Sequence, residues 1–496
     1  MTNIERTFIR RLSHIPSHRL GLSVDVYSPN LFDLLEAVGS RGLHYGYLEI
    51  FHASQSALAE VRRRLPEALL AYHAEGLWLT QPEWGAGDEV IEEMSETASH
   101  LATLGSYWIN HECATKQMAG LSFGTYLPAL FTATSADVTA AHATRLQNSL
   151  AASGQFTAGR DPLVLLEIPP LTYFAFGDMP VTEFFSRIAA QTPCGLVLDL
   201  GHVWTYYRYS GDWRRRSVTA FLSEFLDVFP LERVVQIHMA GLAVHESATG
   251  NASEDGDGDA PLWIDAHHAP IPEVLSDMLD QVLAHPKLRA LKGLALEVDT
   301  KSVAQIVHEL HHVQQRFGKR VKAVCDAAHT ASATGTGHDD SGIDSLAVDL
   351  HEEAVAVLRR QYERYASVVN GQISASQAGL PSRWLEPGNL EVYQQTYLPH
   401  EILHWGGDVC DMFPETCRQL ACERIDVSAF VDFWFREPRS LTRPYDFFLL
   451  KLDRFPQFIR EVLPAGFSHA MREADALRDA YRVACNDIVQ PAGAHA

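Results

Sequence analysis

Leu163-Val-Leu-Leu-Glu-Ile-Pro-Pro170 is the stretch on which the fold turns. Apolar residues run without interruption into a glutamate, and two prolines then stop the segment, because proline has no N–H to give to a strand ladder. A short run of this kind reads as a strand buried on both faces, as in parallel sheets. The pattern recurs on either side, upstream at residues 20–26, 47–51, 69–74 and 107–112, and downstream at 195–200, 234–239 and 293–297. Segments with apolar residues at helical spacing alternate with these runs, at 31–38, 58–65, 91–104, 136–153, 182–191, 217–229 and 271–284. Eight strand-helix units predict an α/β fold, a (β/α)8 TIM barrel over residues 1–330.

Residues 331–345, rich in Ala, Thr, Gly, Ser and Asp, read as a linker. Beyond them the periodicity is helical throughout, at 346–369, 390–403, 413–421, 427–435, 445–463 and 467–488, which predicts an all-α domain over 346–496. The aromatic density at Phe430, Phe433, Trp434 and Phe435 reads as core packing. Residues 247–259 are too acidic and glycine-rich to be core and read as an exposed loop at the rim of the barrel.

At 496 residues the chain exceeds one ordinary core. Its formal charge of -22 argues against nucleic-acid and anionic-membrane partners, whose phosphates such a field repels. Residues 1–20 carry arginines but no apolar stretch long enough for a signal peptide, and no other run could span a bilayer, so the expected location is the cytoplasm. The seven cysteines (Cys113, Cys194, Cys325, Cys410, Cys417, Cys422, Cys485) lack the paired spacing of a zinc ribbon or disulfide framework and read mostly as reduced core residues. Neither a Gly-x-Ser-x-Gly elbow nor a phosphate-binding glycine loop is present.

In a TIM barrel the chemistry gathers at the C-terminal ends of the strands. His73, His111, Glu167, Asp199, His202, His238 and Glu297 fall there. Trp263-Ile-Asp-Ala-His-His-Ala-Pro270 adds Asp265 and His267, which, two residues apart, point to one side of an extended segment. Taken singly, each has an ordinary explanation: a satisfied core histidine, a carboxylate paired with arginine, a turn aspartate. Together they would bury many titratable groups in one mouth, which is unfavourable unless a cation compensates them. Imidazole and carboxylate without thiolate suit iron, manganese or zinc, and open positions on iron would admit oxygen chemistry.

Several segments carry a family resemblance: Tyr72-His-Ala-Glu-Gly-Leu-Trp-Leu79, Asn110-His111, Leu166-Glu-Ile-Pro169, Leu198-Asp-Leu-Gly-His-Val203, Gln236-Ile-His-Met-Ala-Gly241, Ile264-Asp-Ala-His267 and Leu296-Glu-Val-Asp-Thr300. In order and spacing they resemble the multinuclear non-heme iron-dependent oxidative enzymes, TIM barrels of the type found in methanobactin biosynthesis. The resemblance covers residues 20–315. It implies iron ligands at His73, His111, Glu167, Asp199, His238, Asp265, His267 and Glu297, with His202 where the family has an amide, and Glu167, His238, Asp265 and Glu297 as the catalytic set. It further implies dioxygen-dependent oxidation of a ribosomally made precursor peptide, which a small partner protein usually presents. Met412-Phe-Pro-Glu-Thr-Cys-Arg-Gln-Leu420, residues 430–435 and Phe455-Pro-Gln-Phe-Ile459 resemble the helical part of such partners, here fused to the barrel.

The chain departs from the family at Glu-Ile-Pro for Glu-Asn-Pro, at Asp-Leu-Gly-His for Asp-Val-Asn-Asn, in the absence of a histidine from 206–212, and at Leu242 where a histidine is usual. His202 should strengthen one site while the lost histidines weaken another. The expectation is therefore about one or two tightly held irons and a third partly occupied. Asp199-Leu-Gly-His202 also looks like the Asp-x-Gly-His of sugar-isomerase-type barrels, which makes a divalent-metal isomerase or hydrolase without redox chemistry the second reading. A non-catalytic barrel acting as scaffold for the helical domain is the third.

Overall fold

Eight parallel strands, β1 (Arg19–Val24), β2 (Leu48–Phe51), β3 (Leu70–His73), β4 (Trp108–Glu112), β5 (Leu163–Glu167), β6 (Gly195–Asp199), β7 (Val234–Met239) and β8 (Gly293–Glu297), close into a barrel in sequence order, β8 pairing with β1. The computed structural model describes residues 2–84, 88–157, 160–244, 263–334, 351–381, 384–386, 388–439 and 446–487. Helices Leu31–Ser40, Gln55–Arg64, Asp88–Leu104, Ala133–Ala152, Val181–Gln191, Val218–Val228 and Glu273–Ala284 surround the strands, each close to its expected span. Among the described residues none of the helices is long and apolar enough to cross a membrane.

Alternation along each strand divides side chains between the lumen and the helix layer. On β5, Leu163 and Leu165 face a lumen cluster with Tyr47, Ala71, Trp108, Val197, Val235 and Ala295, while Val164 and Leu166 join the outer core under the helices. Tyr47 fits in the lumen because Gly21 and Gly293 leave it room: a Cβ on Gly21 would stand 2.4 Å from its ring. Helix Asn3–His14 closes this end with Phe8 and Leu12, followed by Ile15. That helix is not among the expected elements, because its narrow apolar stripe is interleaved with arginines; one of these, Arg11, is itself buried against Asp161 at 3.1 Å.

A buried antiparallel hairpin, Ala114–Met118 with Leu121–Pro128, is inserted after β4, and a further helix, Leu200–Tyr209, starts directly from β6. The helix after β8 runs over 32 residues to Thr334, so the first four residues of the expected linker are helical; the remainder lies outside the described residues, as does the stretch 247–259.

The C-terminal region is mostly helical, with Glu352–Val369, Leu398–His404, Pro414–Cys422, Ala429–Trp434, Phe447–Val462 and Phe467–Asp487. Within this helical region Trp384–Leu385 pairs antiparallel with Phe174–Ala175, and Tyr393–Tyr397 forms a π-helical turn. Two residues of strand are too few to leave a periodic signal. The region docks on the barrel through Trp434, whose indole N–H donates to the Ser122 carbonyl at 2.7 Å, and Asn389, which donates to the Tyr173 carbonyl at 3.0 Å. Phe430, Phe433, Trp434 and Phe435 are buried in one apolar core continuous with that of the barrel. Of the cysteines, Cys113, Cys194 and Cys325 are buried as expected, whereas Cys410 and Cys422 are exposed.

Candidate metal centre

Above the apolar lumen layer, two residues on along most strands and three on β7, where the register shifts between Val234 and Gln236, the strand faces change character. Glu49 on β2, His73 on β3, Asn110 and Glu112 on β4, Glu167 on β5, Asp199 on β6, His238 on β7 and Glu297 on β8 form the next layer, all buried, at the C-terminal mouth. His238 is central: its Nδ1 lies 3.0 Å from Glu167 and 3.2 Å from Glu297, and its Nε2 lies 3.2 Å from Glu49. His73 Nε2 reaches Glu167 at 3.5 Å. Glu49, His73 and His238 form one group, and Glu167, Asp199, His238 and Glu297 another, whose donor atoms lie within 4.8 Å of one another and so could share an ion. Outer partners fix the carboxylates: Asn110 donates to Glu167 at 2.6 Å, Ser23 donates to Glu49 at 3.3 Å, and Gln236 donates to the other Glu49 oxygen.

A second group lies nearer solvent. Asp199 caps helix Leu200–Tyr209 by accepting from the His202 N–H at 2.7 Å, which sets His202 in the first turn. The His202 Nδ1–H donates to the Ile168 carbonyl at 2.6 Å, leaving Nε2 to face Asp265 at 3.4 Å and Asp199 at 3.8 Å. Asp265 is delivered by the hairpin Leu242–Val244 and Trp263–Asp265, in which it pairs with Leu242. The turn that follows packs so tightly on Gly241 that a Cβ there would stand 2.0 Å from the Ala269 carbonyl oxygen. His267 Nε2 then lies 3.1 Å from Asp265 and 3.4 Å from Glu297.

Burial penalises charge on all of these groups, and their mutual arrangement decides which give way. Burial pushes Asp199 up to about 7, with Glu297, Asp265 and Glu167 adding to the rise. Against burial, Glu167, Glu297 and Glu49 hold the His238 imidazole well above its ordinary value, and carboxylates do the same for His202 and His267. The carboxylates thus make the space around these imidazoles one where positive charge is stabilised. Asp199 Oδ2 and Asp265 Oδ1 are buried without a hydrogen-bond partner, which is costly unless a cation takes them up. The donor set, nitrogen and oxygen only, fits iron, manganese or zinc.

Of the expected ligands, His73, Glu167, Asp199, His202, His238, Asp265, His267 and Glu297 come together; His111 does not join them. Asn110 and Glu112 take the lumen positions of β4, so alternation turns His111 to the opposite face. There its Nε2 accepts the Leu79 N–H at 3.2 Å, and burial lowers it to about 3. His142 binds the carbonyl of the same residue at 2.8 Å, so the two histidines clamp the Leu79 peptide. Glu49 lies outside the expected set because it stands within its strand and does not end it; its signal is the carboxylate inside Tyr-Leu-Glu-Ile-Phe. Asp299, which meets His267 Nδ1 at 2.5 Å, was also outside the expected set.

Residues 47–317 match the family described as RiPP precursor modification enzyme MbnB/TglH/ChrH, where RiPP denotes a ribosomally synthesised, post-translationally modified peptide. The chain belongs to this family. Similar proteins include a UPF0276 protein of Paraburkholderia phytofirmans, 25% identical over 299 residues (56% of this chain, 88% of that one), and one of Rhizorhabdus wittichii, 27% identical over 259 residues (52% and 78%). A UPF0276 protein of Bordetella pertussis is 33% identical over 123 residues, 24% of this chain and 36% of that one. Among solved structures, endonuclease IV from Thermus thermophilus is similar at 17% identity and a TM-score of 0.38, covering 60% of this chain and 98% of that one. A xylose isomerase domain containing protein from Salmonella typhimurium is similar at 11% identity and a TM-score of 0.36, covering 60% and 96%. The RiPP-modification match takes in every residue of the mouth from Glu49 to Glu297 and ends within helix Val303–Thr334, before the C-terminal region.

Proposed function

We propose that this member of the RiPP-modification family is an iron- and dioxygen-dependent oxidative enzyme acting on a precursor peptide. The carrying observation is the mouth itself, where Glu49, His73, Glu167, Asp199, His202, His238, Asp265, His267 and Glu297 converge and leave buried carboxylate oxygens unpartnered. Bound iron would supply redox chemistry and open positions for dioxygen. The chain's own residues do the rest. Glu167, His238 and Glu297 form a dry, rigid inner wall; Asp265 and His267, half-buried, form the side open to an arriving substrate. Asn110 and Gln236 hold the Glu167 and Glu49 carboxylates in one orientation, which keeps the donors preorganised.

The fused helical region takes the place of a separate partner protein in this reading and presents the peptide. In support, it packs against the hairpin Ala114–Met118 with Leu121–Pro128, bringing Tyr397 within 3.5 Å of Thr125 and leaving Trp405 exposed beside Lys116, whose ammonium lies 5.8 Å from the indole. The reading puts the enzyme in the cytoplasm, where precursor peptides are made. The test incubates anaerobically purified, Fe(II)-loaded protein with a ribosomally made precursor peptide and follows peptide mass. A mass change that requires dioxygen is expected. An equal change without dioxygen would favour the isomerase or hydrolase reading, and no change under either condition would contradict the proposal.

A further inference from the structure

The two donor groups of the mouth are held in different ways. The inner one is built on barrel strands, whereas His267 sits on a turn outside the barrel, where nothing in the strand ladder fixes its ring. Its orientation comes from Asp299, whose Oδ1 meets His267 Nδ1 at 2.5 Å. Asp299 lies in the turn that follows β8, two residues beyond Glu297. The next residue, Thr300, has φ 64, a left-handed conformation that a β-branched residue adopts only under constraint. The turn is tied down on both sides, by the Val298 N–H to the Ser23 carbonyl at 3.1 Å and by Lys301 to Glu309 at 2.6 Å. Strain is thus held where Asp299 leaves the barrel rim and reaches over to the turn.

We propose that Asp299 is a positioning residue for the outer metal seat. By accepting the proton of His267 Nδ1 it fixes the tautomer with the Nε2 lone pair free, and aims that nitrogen at the space between Asp265 (3.1 Å) and Glu297 (3.4 Å). His202 is fixed in the same sense by a backbone carbonyl, but His267 depends on a carboxylate from the turn after β8. In the inner group Glu167 is held by Asn110 and Glu49 by Ser23 and Gln236, none of which touches Asp299. The inference rests on the reading that the mouth holds metal.

The test is an anaerobic Co(II) titration of full-length protein, following visible absorption and bound cobalt, with circular dichroism to verify folding. Wild type, Asp299→Ala, Asp299→Asn, His267→Ala and the Asp299→Ala/His267→Ala double variant are compared. Asp299→Ala should weaken the outer phase by about 10- to 100-fold and leave the inner phase unchanged. Asp299→Asn, whose amide oxygen still accepts from Nδ1–H, should fall between Asp299→Ala and wild type. The double variant should be no weaker than His267→Ala alone, because one residue acts through the other. Wild-type affinity in Asp299→Ala, or additive losses in the double variant, would overturn the inference; should Asp299→Ala not fold, wild-type affinity in Asp299→Asn would do so. Wild-type protein that takes up no Co(II) would instead overturn the metal reading, and this inference with it.

Discussion

Two layers of one lumen, a single strand period apart, behave as different materials. Below, Tyr47, Trp108, Leu165, Val197 and Ala295 make a dry floor closed by helix Asn3–His14. Above, on the same strands, Glu49, Asn110, Glu167, Asp199 and Glu297 make a polar ring around His238. The backbone need not change for a strand to serve both purposes; it advances by two residues and the same face arrives one layer higher. The floor supplies apolar burial and rigidity. The ring uses that rigidity, since its carboxylates would otherwise move apart or admit water, and a bound cation would offset the crowding that remains.

Trp108→Ala should break the floor most severely. Removing a fully buried indole is expected to cost about 3–5 kcal/mol in denaturant unfolding, while metal bound per folded chain stays as in wild type. Loss of metal from the folded fraction would show that the layers are not separable. Glu297→Gln attacks the ring instead, keeping shape but removing charge. Its metal affinity should fall by more than the roughly 10- to 100-fold that outer-shell changes cost, with the circular dichroism spectrum retained. Unchanged iron stoichiometry in a folded variant would remove Glu297 from the ligand set.

His111→Leu sharpens the contrast between faces of one strand. Leaving the Leu79 N–H without its acceptor should cost about 1–3 kcal/mol and leave metal content unchanged, whereas a loss of iron would put His111 back among the ligands. The smallest effect concerns His18, which packs against Tyr47 and Trp108 under the floor and is lowered by burial to about 3. Its unfolded form takes up a proton below about 6.5 while the folded form does not, so the group makes stability fall as pH drops from about 6.5 toward 3. His18→Gln should flatten the slope of unfolding free energy against pH in that window by up to about 1.4 kcal/mol per pH unit. An unaltered slope would contradict a neutral buried imidazole.

The barrel was legible because its strands are continuous apolar runs with punctuating prolines and glycines, and each expected strand is present within a residue or two of its range. Most of the mouth was legible because carboxylates and imidazoles end those runs. Counting strand ends without strand parity is what admitted His111 and passed over Glu49; beginning from Leu163 and Leu165 and stepping by two predicts Glu167 inward, and the same step from Trp108 selects Asn110 and Glu112 instead of His111. Asp299 was invisible for another reason: its partner comes from a turn 32 residues away in sequence, a contact that only the closed barrel creates. The floor helix was hidden by its arginines, and the Trp384–Leu385 strand by its length.

Elemental analysis of full-length protein purified without oxygen tests the central claim most directly. If the ring exists to hold iron, the protein should carry about one to two tightly bound irons per chain, with a third seat partly filled. Folded protein that stays metal-free in the presence of Fe(II), or that carries zinc alone, would contradict the account.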